Sequence, residues 1–128
     1  MNPLSPSPAT SAHQLFTEAH TAYRFTDDPV TDEQLQAIYE LAKLTPTAIN
    51  SQPLRVTFVR TPAARERLLP LLNPGNRAKS ESAPVIAILA ADTDFHEHLP
   101  RVAPQSAGAR DRFAGDPAGR ARMALNNA

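Results

Sequence analysis

The sequence has no cysteine. That excludes a disulfide scaffold, a thiolate zinc site and a cysteine nucleophile. It has only four glycines, and they form neither a dinucleotide fingerprint nor a phosphate loop. No Gly-x-Ser-x-Gly elbow is present. Neither charge sign is in excess: 13 Lys and Arg offset 13 Asp and Glu. A balanced chain without a basic stripe carries no electrostatic footprint for nucleic acid. Long apolar runs are missing as well. The longest is Val85-Ile86-Ala87-Ile88-Leu89-Ala90-Ala91. It has the length of a buried strand and falls short of the roughly 18 residues that cross a bilayer. Met1-Asn2-Pro3-Leu4-Ser5-Pro6 lacks the charged start and apolar stretch of a secretory signal. What remains is a cytoplasmic enzyme or binding domain, with neither nucleic acid nor membrane as partner.

The 128 residues suit one domain, and a 41% hydrophobic fraction is enough for a core. Thirteen prolines punctuate the chain. Residues 1–10 are rich in Pro and Ser and read as a disordered lead-in. A first helix is expected from Ser11, with Leu15, Phe16, Ala19 and Ala22 on one face. Thr31 and Gln34 have the spacing of a capping box. Asp32 and Glu33 suit the positive end of the helix that follows, whose face is Leu35, Ile38, Tyr39, Leu41 and Ala42. After the polar loop 46–53, Val56-Thr57-Phe58-Val59 reads as a strand. Thr61-Pro62 opens a third helix, interrupted near Pro70, and Asn73-Pro74-Gly75 reads as a turn. The run 85–91 lacks alternation, so cover on both faces is expected. Residues 92–117 read as loop-rich, and a last helix is expected from Ala118. The sum is an α+β chain. Two strands alone make a poor sheet, which points to association or an incomplete domain.

Four groups of side chains could carry chemistry. The loop Pro46-Thr47-Ala48-Ile49-Asn50-Ser51-Gln52-Pro53 offers amide donors and acceptors that match the edge of a planar heterocycle. Asx turns in an ordinary connection would use the same residues. His20-Thr21-Ala22-Tyr23-Arg24 places a hydroxyl beside cationic groups and could hold a phosphate, or could merely end a helix. Asn76-Arg77-Ala78-Lys79 could bring an amide and an ammonium to one ligand, or could be a solvated turn. His96-Glu97-His98 could bind a metal, although no third ligand is evident and no metal is expected.

Taken in order, these segments resemble the nitroreductase family of FMN-dependent oxidoreductases. Within it they look most like the malonic semialdehyde reductase / NADH dehydrogenase-NAD(P)H nitroreductase branch. The resemblance runs from Phe16 to Ala128. Its most specific stretches are Pro29-Val30-Thr31-Asp32-Glu33-Gln34-Leu35, Tyr39-Glu40-Leu41-Ala42-Lys43 and Pro46 through Val56. Pro74-Gly75-Asn76, Lys79, Ala83-Pro84-Val85 and Phe95-His96-Glu97-His98-Leu99-Pro100 also fit.

The resemblance implies a nitroreductase-like α+β fold, with helices packed around a central, mostly antiparallel sheet. It implies that residues 11–128 are the N-terminal part of that domain, incomplete at the C-terminus. It also implies a homodimer with FMN at the subunit interface. His20 and Thr21 would lie near the flavin phosphate. Pro46, Thr47, Ala48 and Asn50 match the loop that reaches flavin from the partner subunit. Asn76 and Lys79 match the pair at the pyrimidine edge. NADH or NADPH would donate hydride in a ping-pong reaction. The acceptor would be a small aldehyde (malonic semialdehyde-like), a nitroaromatic or a quinone. No catalytic side chain is implied.

The family's Arg-Arg-Ser-x-Arg-x-Phe pattern is here Ala19-His20-Thr21-Ala22-Tyr23-Arg24-Phe25, and Ala48 stands where Ser is usual. Weaker FMN binding is the expectation, because neutral His is a poor substitute for a guanidinium. The alternative to an active enzyme is a truncated, non-catalytic remnant that binds no flavin alone.

Overall fold

The computed structural model describes residues 12–128. The expected disordered segment 1–10 and the helix start at Ser11 lie outside them. A π-helical turn spans His13–Thr17 and ends well before Ala22. Leu15 and Phe16 on it are 67% and 80% exposed. The expected longer helix does not form, since so short a helix has little stability without an apolar face to pack on.

Helix α1, Asp32–Ala42, begins with the expected capping box. Gln34 N donates to Thr31 Oγ1, and Thr31 N donates to Gln34 Oε1. Strand β1, Leu54–Val59, is joined to α1 through Arg60, which pairs with Asp32 and donates to Val30 O. Helix α2 is Pro62–Leu68, and a 3-10 turn follows at Leu69–Leu71. Asn73-Pro74-Gly75 is not a turn between elements, as expected, but the start of helix α3, Pro74–Ser82. Pro74 fits the first turn, and Asn73 Oδ1 accepts from Gly75 N at 3.1 Å.

Two arginines lock α2 to α3. Arg65 donates to the carbonyls of Ser80, Glu81 and Ala83 at the end of α3. Arg77, on α3, donates back to the carbonyls of Leu69 and Pro70. Each guanidinium satisfies carbonyls that a helix end leaves without partners.

Strand β2, Ile86–Ala91, pairs antiparallel with β1, with Leu54 opposite Ala91 and Val59 opposite Ile86. These two strands are the whole sheet among the described residues. Cover on both faces of β2 is not observed. Ile88 and Leu89 point to opposite faces and are 41% and 67% exposed. Only the Ala91 end of the strand reaches the main core.

That core lies where the sequence read as loop. Residues 92–117 hold a 3-10 turn at Phe95–His98, helix α4 at Leu99–Val102 and helix α5 at Ala109–Ala114. Helix α6, Pro117–Asn127, completes the chain. Its start is fixed by Asp116 Oδ1, which accepts from Gly119 N at 2.9 Å. Phe95, Leu99, Ala103, Ala109 and Ala124 form one buried cluster. Phe95 meets the edge of Phe113 at 5.3 Å between ring centroids. The elements are short because they are held by this burial rather than by helix propensity. Ile49 from the 46–53 loop packs against the same cluster.

Candidate functional site

The 46–53 loop adopts a backbone that few side chains accept. Ile49, Asn50 and Gln52 all have positive φ, at 51°, 56° and 44°. For a β-branched residue such as Ile49 this region is strained. Strain of this kind persists only where surrounding contacts over-determine it. Those contacts are present. Thr47 Oγ1 accepts from Gln52 N at 3.1 Å. Asn50 Oδ1 accepts from Gln52 Nε2 at 2.8 Å. Asn50 Nδ2 donates to Val102 O at 2.6 Å, and Ala48 N donates to Asn127 Oδ1 at 2.7 Å. The loop is thereby stitched to α4 and α6. Pro46 is exposed at its entrance, and Ser51 and Pro53 are buried.

An open groove of about 800 Å³ runs beside this loop. Thr47, Asn50, Ser51 and Gln52 line it, with Tyr39, Leu44, Leu54 and Leu89 as apolar surface. Its charged and imidazole side chains are Lys43, Arg55, His98 and Arg101, and the backbone end at Asn127 and Ala128 lines it as well. Lys43 is hydrogen-bonded to Glu40, which holds that carboxyl below its usual value of 4.5. Arg55 pairs with Asp92 at 2.5 Å.

The other candidates gather elsewhere. Tyr23 and Phe25 meet α3. Phe25 N donates to Ser82 Oγ at 3.3 Å, and Lys79 Nζ sits 5.8 Å from the centre of the Tyr23 ring. His20 is exposed, with Nδ1 2.7 Å from Glu18 O, and Thr21 is exposed beside it. Asn76 and Lys79 lie one turn apart on α3, so they share a face. The Asn76 amide makes no hydrogen bond and Lys79 has no carboxylate partner among the described residues.

His96 and His98 do not converge on a metal position. His96 is buried, and its Nε2 lies 3.1 Å from Arg120 Nη1. The same Nε2 is 3.4 Å from Glu97 Oε1, and Nδ1 has no partner among the described residues. His98 lies in the groove with Nε2 3.8 Å from Asp92 Oδ2. No group of three or more His, Cys, Asp or Glu suited to a metal occurs among the described residues.

The candidate residues therefore form two groups. Asn76 and Lys79 lie on α3, which Tyr23 and Phe25 meet, and Pro46, Thr47, Ala48 and Asn50 lie on the loop; His20 and Thr21 precede Tyr23 and make no hydrogen bond or ion pair to either group among the described residues. No hydrogen bond or ion pair joins the groups among the described residues. The sequence missed Arg101. Its only signal is the three-residue spacing from His98, and α4 was not legible.

The profile of the nitroreductase family matches residues 17–92. The chain belongs to the nitroreductase family. A Streptomyces coelicolor protein, provisionally named NADH dehydrogenase/NAD(P)H nitroreductase, is 54% identical over 118 residues. That match covers 92% of this chain and 58% of the relative. A Leptothrix cholodnii protein with the same provisional name is 56% identical over 115 residues, covering 90% and 58%. The chain thus spans little more than half the length of these family relatives. A crystal structure from Exiguobacterium sibiricum, described as a nitroreductase in complex with FMN, superposes with a TM-score of 0.76. It is 15% identical, over 89% of this chain and 62% of that one, and supports the nitroreductase-like fold.

The two groups differ in how well they suit a flavin. On α3, the Lys79 ammonium, with the Tyr23 ring beside it, and the Asn76 amide have no carboxylate or hydrogen-bond partner among the described residues and can meet a polar ligand. On the loop, the Asn50 amide is already used on both sides, which leaves the backbone and the Thr47 side chain to face a ring.

Proposed function

We propose that the whole protein is an FMN-dependent NAD(P)H oxidoreductase whose flavin site is composed from two copies of this chain. The observation that carries this reading is the Asn76–Lys79 pair on α3, beside Tyr23, with no hydrogen bond from the amide and no carboxylate on the ammonium among the described residues, apart from the Asn50 loop. One copy would supply His20, Thr21, Asn76 and Lys79; its partner would supply Pro46, Thr47, Ala48 and Asn50. The exposed Ile88, Leu15 and Phe16 are apolar surface that an assembled dimer would cover.

Bound FMN would supply hydride transfer between NADH or NADPH and an acceptor. The acceptor would be a small aldehyde, a nitroaromatic or a quinone. The Lys79 ammonium would favour negative charge at the pyrimidine edge of the ring, and the Asn76 amide would fix its orientation. Thr21 and His20 would hold the phosphate by hydrogen bonds, with less charge than a guanidinium brings.

The test is fluorescence titration of the purified chain with FMN, beside Lys79→Gln. Saturable binding near one FMN per chain is expected, weakened about tenfold or more in K79Q, the worth of a charge-assisted contact. No binding even at excess FMN defeats the reading for this chain. It favours the second reading, a remnant without flavin, for which the unfilled Leu89 face speaks.

A further inference from the structure

We infer that the Arg101–His98 end of the groove is an oxyanion subsite for a small ligand with a planar or apolar body. The inference goes beyond the flavin reading, and its test contains no flavin. Three observations carry it. The first is charge. No Asp or Glu lines the groove, and two of its cations are neutralised by Glu40 and Asp92. Arg101 has neither a hydrogen bond nor an ion pair among the described residues, and it lies one turn from His98. A guanidinium left open beside a concave surface is suited to bidentate capture of carboxylate or phosphate.

The second observation is an unmet hydrogen bond. Ser51 lines the same groove and is 1% exposed, and its buried hydroxyl has no partner. Buried hydroxyls without partners are uncommon. The third is backbone strain immediately around it, at Ile49, Asn50 and Gln52. Such strain concentrates where a loop presents groups to a ligand. The apolar surface of Tyr39, Leu44 and Leu89 is left uncovered beside the cation. The ligand that fits all of these is a carboxylate or phosphate on a flat or apolar body, with oxygens for the guanidinium and carbon surface for the leucines.

The experiment uses the full chain and follows binding by NMR chemical-shift titration or calorimetry. The probes are benzoate, phenyl phosphate and the uncharged benzyl alcohol. Benzoate or phenyl phosphate is expected to bind at least about tenfold more tightly than benzyl alcohol, as a charge-assisted pair requires. The tighter anion identifies carboxylate or phosphate as the natural group. Arg101→Gln is expected to remove that preference and Arg101→Lys to restore part of it. Arg122→Gln, an exposed change outside the groove, is expected to leave it intact. Arg101 is itself exposed and has no partner among the described residues, so circular dichroism of R101Q should match the parent chain. Equal affinity for anions and alcohol, no binding of any probe, or an undiminished preference in R101Q would overturn the inference.

Discussion

The Asn50 loop and the Lys79 helix display similar polar side chains under opposite conditions. On the loop, the Asn50 amide is spent on Val102 and Gln52, and Ala48 N on Asn127. On α3, Asn76 and Lys79 make no hydrogen bond or ion pair through their side chains among the described residues, because Arg65 and Arg77 do the holding instead. One region gets its shape from its candidate residues. The other gets its shape from neighbours and leaves its candidates available. A polar side chain is therefore a better ligand candidate when something else fixes the backbone beneath it.

The largest effect should come from the core that supports the loop. Phe95→Ala empties the centre of the cluster on which Ile49 packs. It should cost roughly 3–5 kcal/mol in a urea melt. A loss below about 1 kcal/mol would show that the loop does not depend on that core. Next come Asn50→Ala and Lys79→Gln, taken as a pair. Asn50→Ala should cost about 1 kcal/mol by removing the bond to Val102. Lys79→Gln should cost less, about 0.5 kcal/mol, since it loses only a contact with the exposed Tyr23 ring. The reverse order would break the contrast between the two regions.

The smallest effect concerns pH. Arg110 donates three hydrogen bonds to Glu97 and lowers its carboxyl from the usual 4.5. A lowered acid stabilises the fold at pH above the unfolded value and loses that effect as pH falls through the folded one. The stability difference between the parent chain and Glu97→Gln should be present at pH 7, narrow below 4.5 and vanish once Glu97 is protonated. Melts across that range check it. A difference that persists in acid would mean the pair acts through packing.

Local signals were legible and distant ones were not. The capping box at Thr31 and Gln34 closes within four residues, so the sequence alone shows it. The same reading placed Thr61-Pro62 at a helix start but took Asn73-Pro74-Gly75 for a turn. The Asn73 cap and the Pro74 position carry the same signal there. The helices of 92–117 have four to six residues and contain or adjoin Pro100, Pro104 and Gly108. Only their burial around Phe95 and Leu99 holds them. The separation of the site residues into two groups follows from Asn50 meeting Val102, a contact between residues 52 apart in the chain. No local pattern reports that.

The crossed arginines have one more consequence. Arg65 and Arg77 each bind the other's element, so opening either helix end exposes carbonyls on both. Residues 62–82 are therefore expected to open together in hydrogen exchange rather than helix by helix. Asn76 and Lys79 ride on that unit with their spacing set in advance, and a ligand that meets them spends no free energy on ordering the helix.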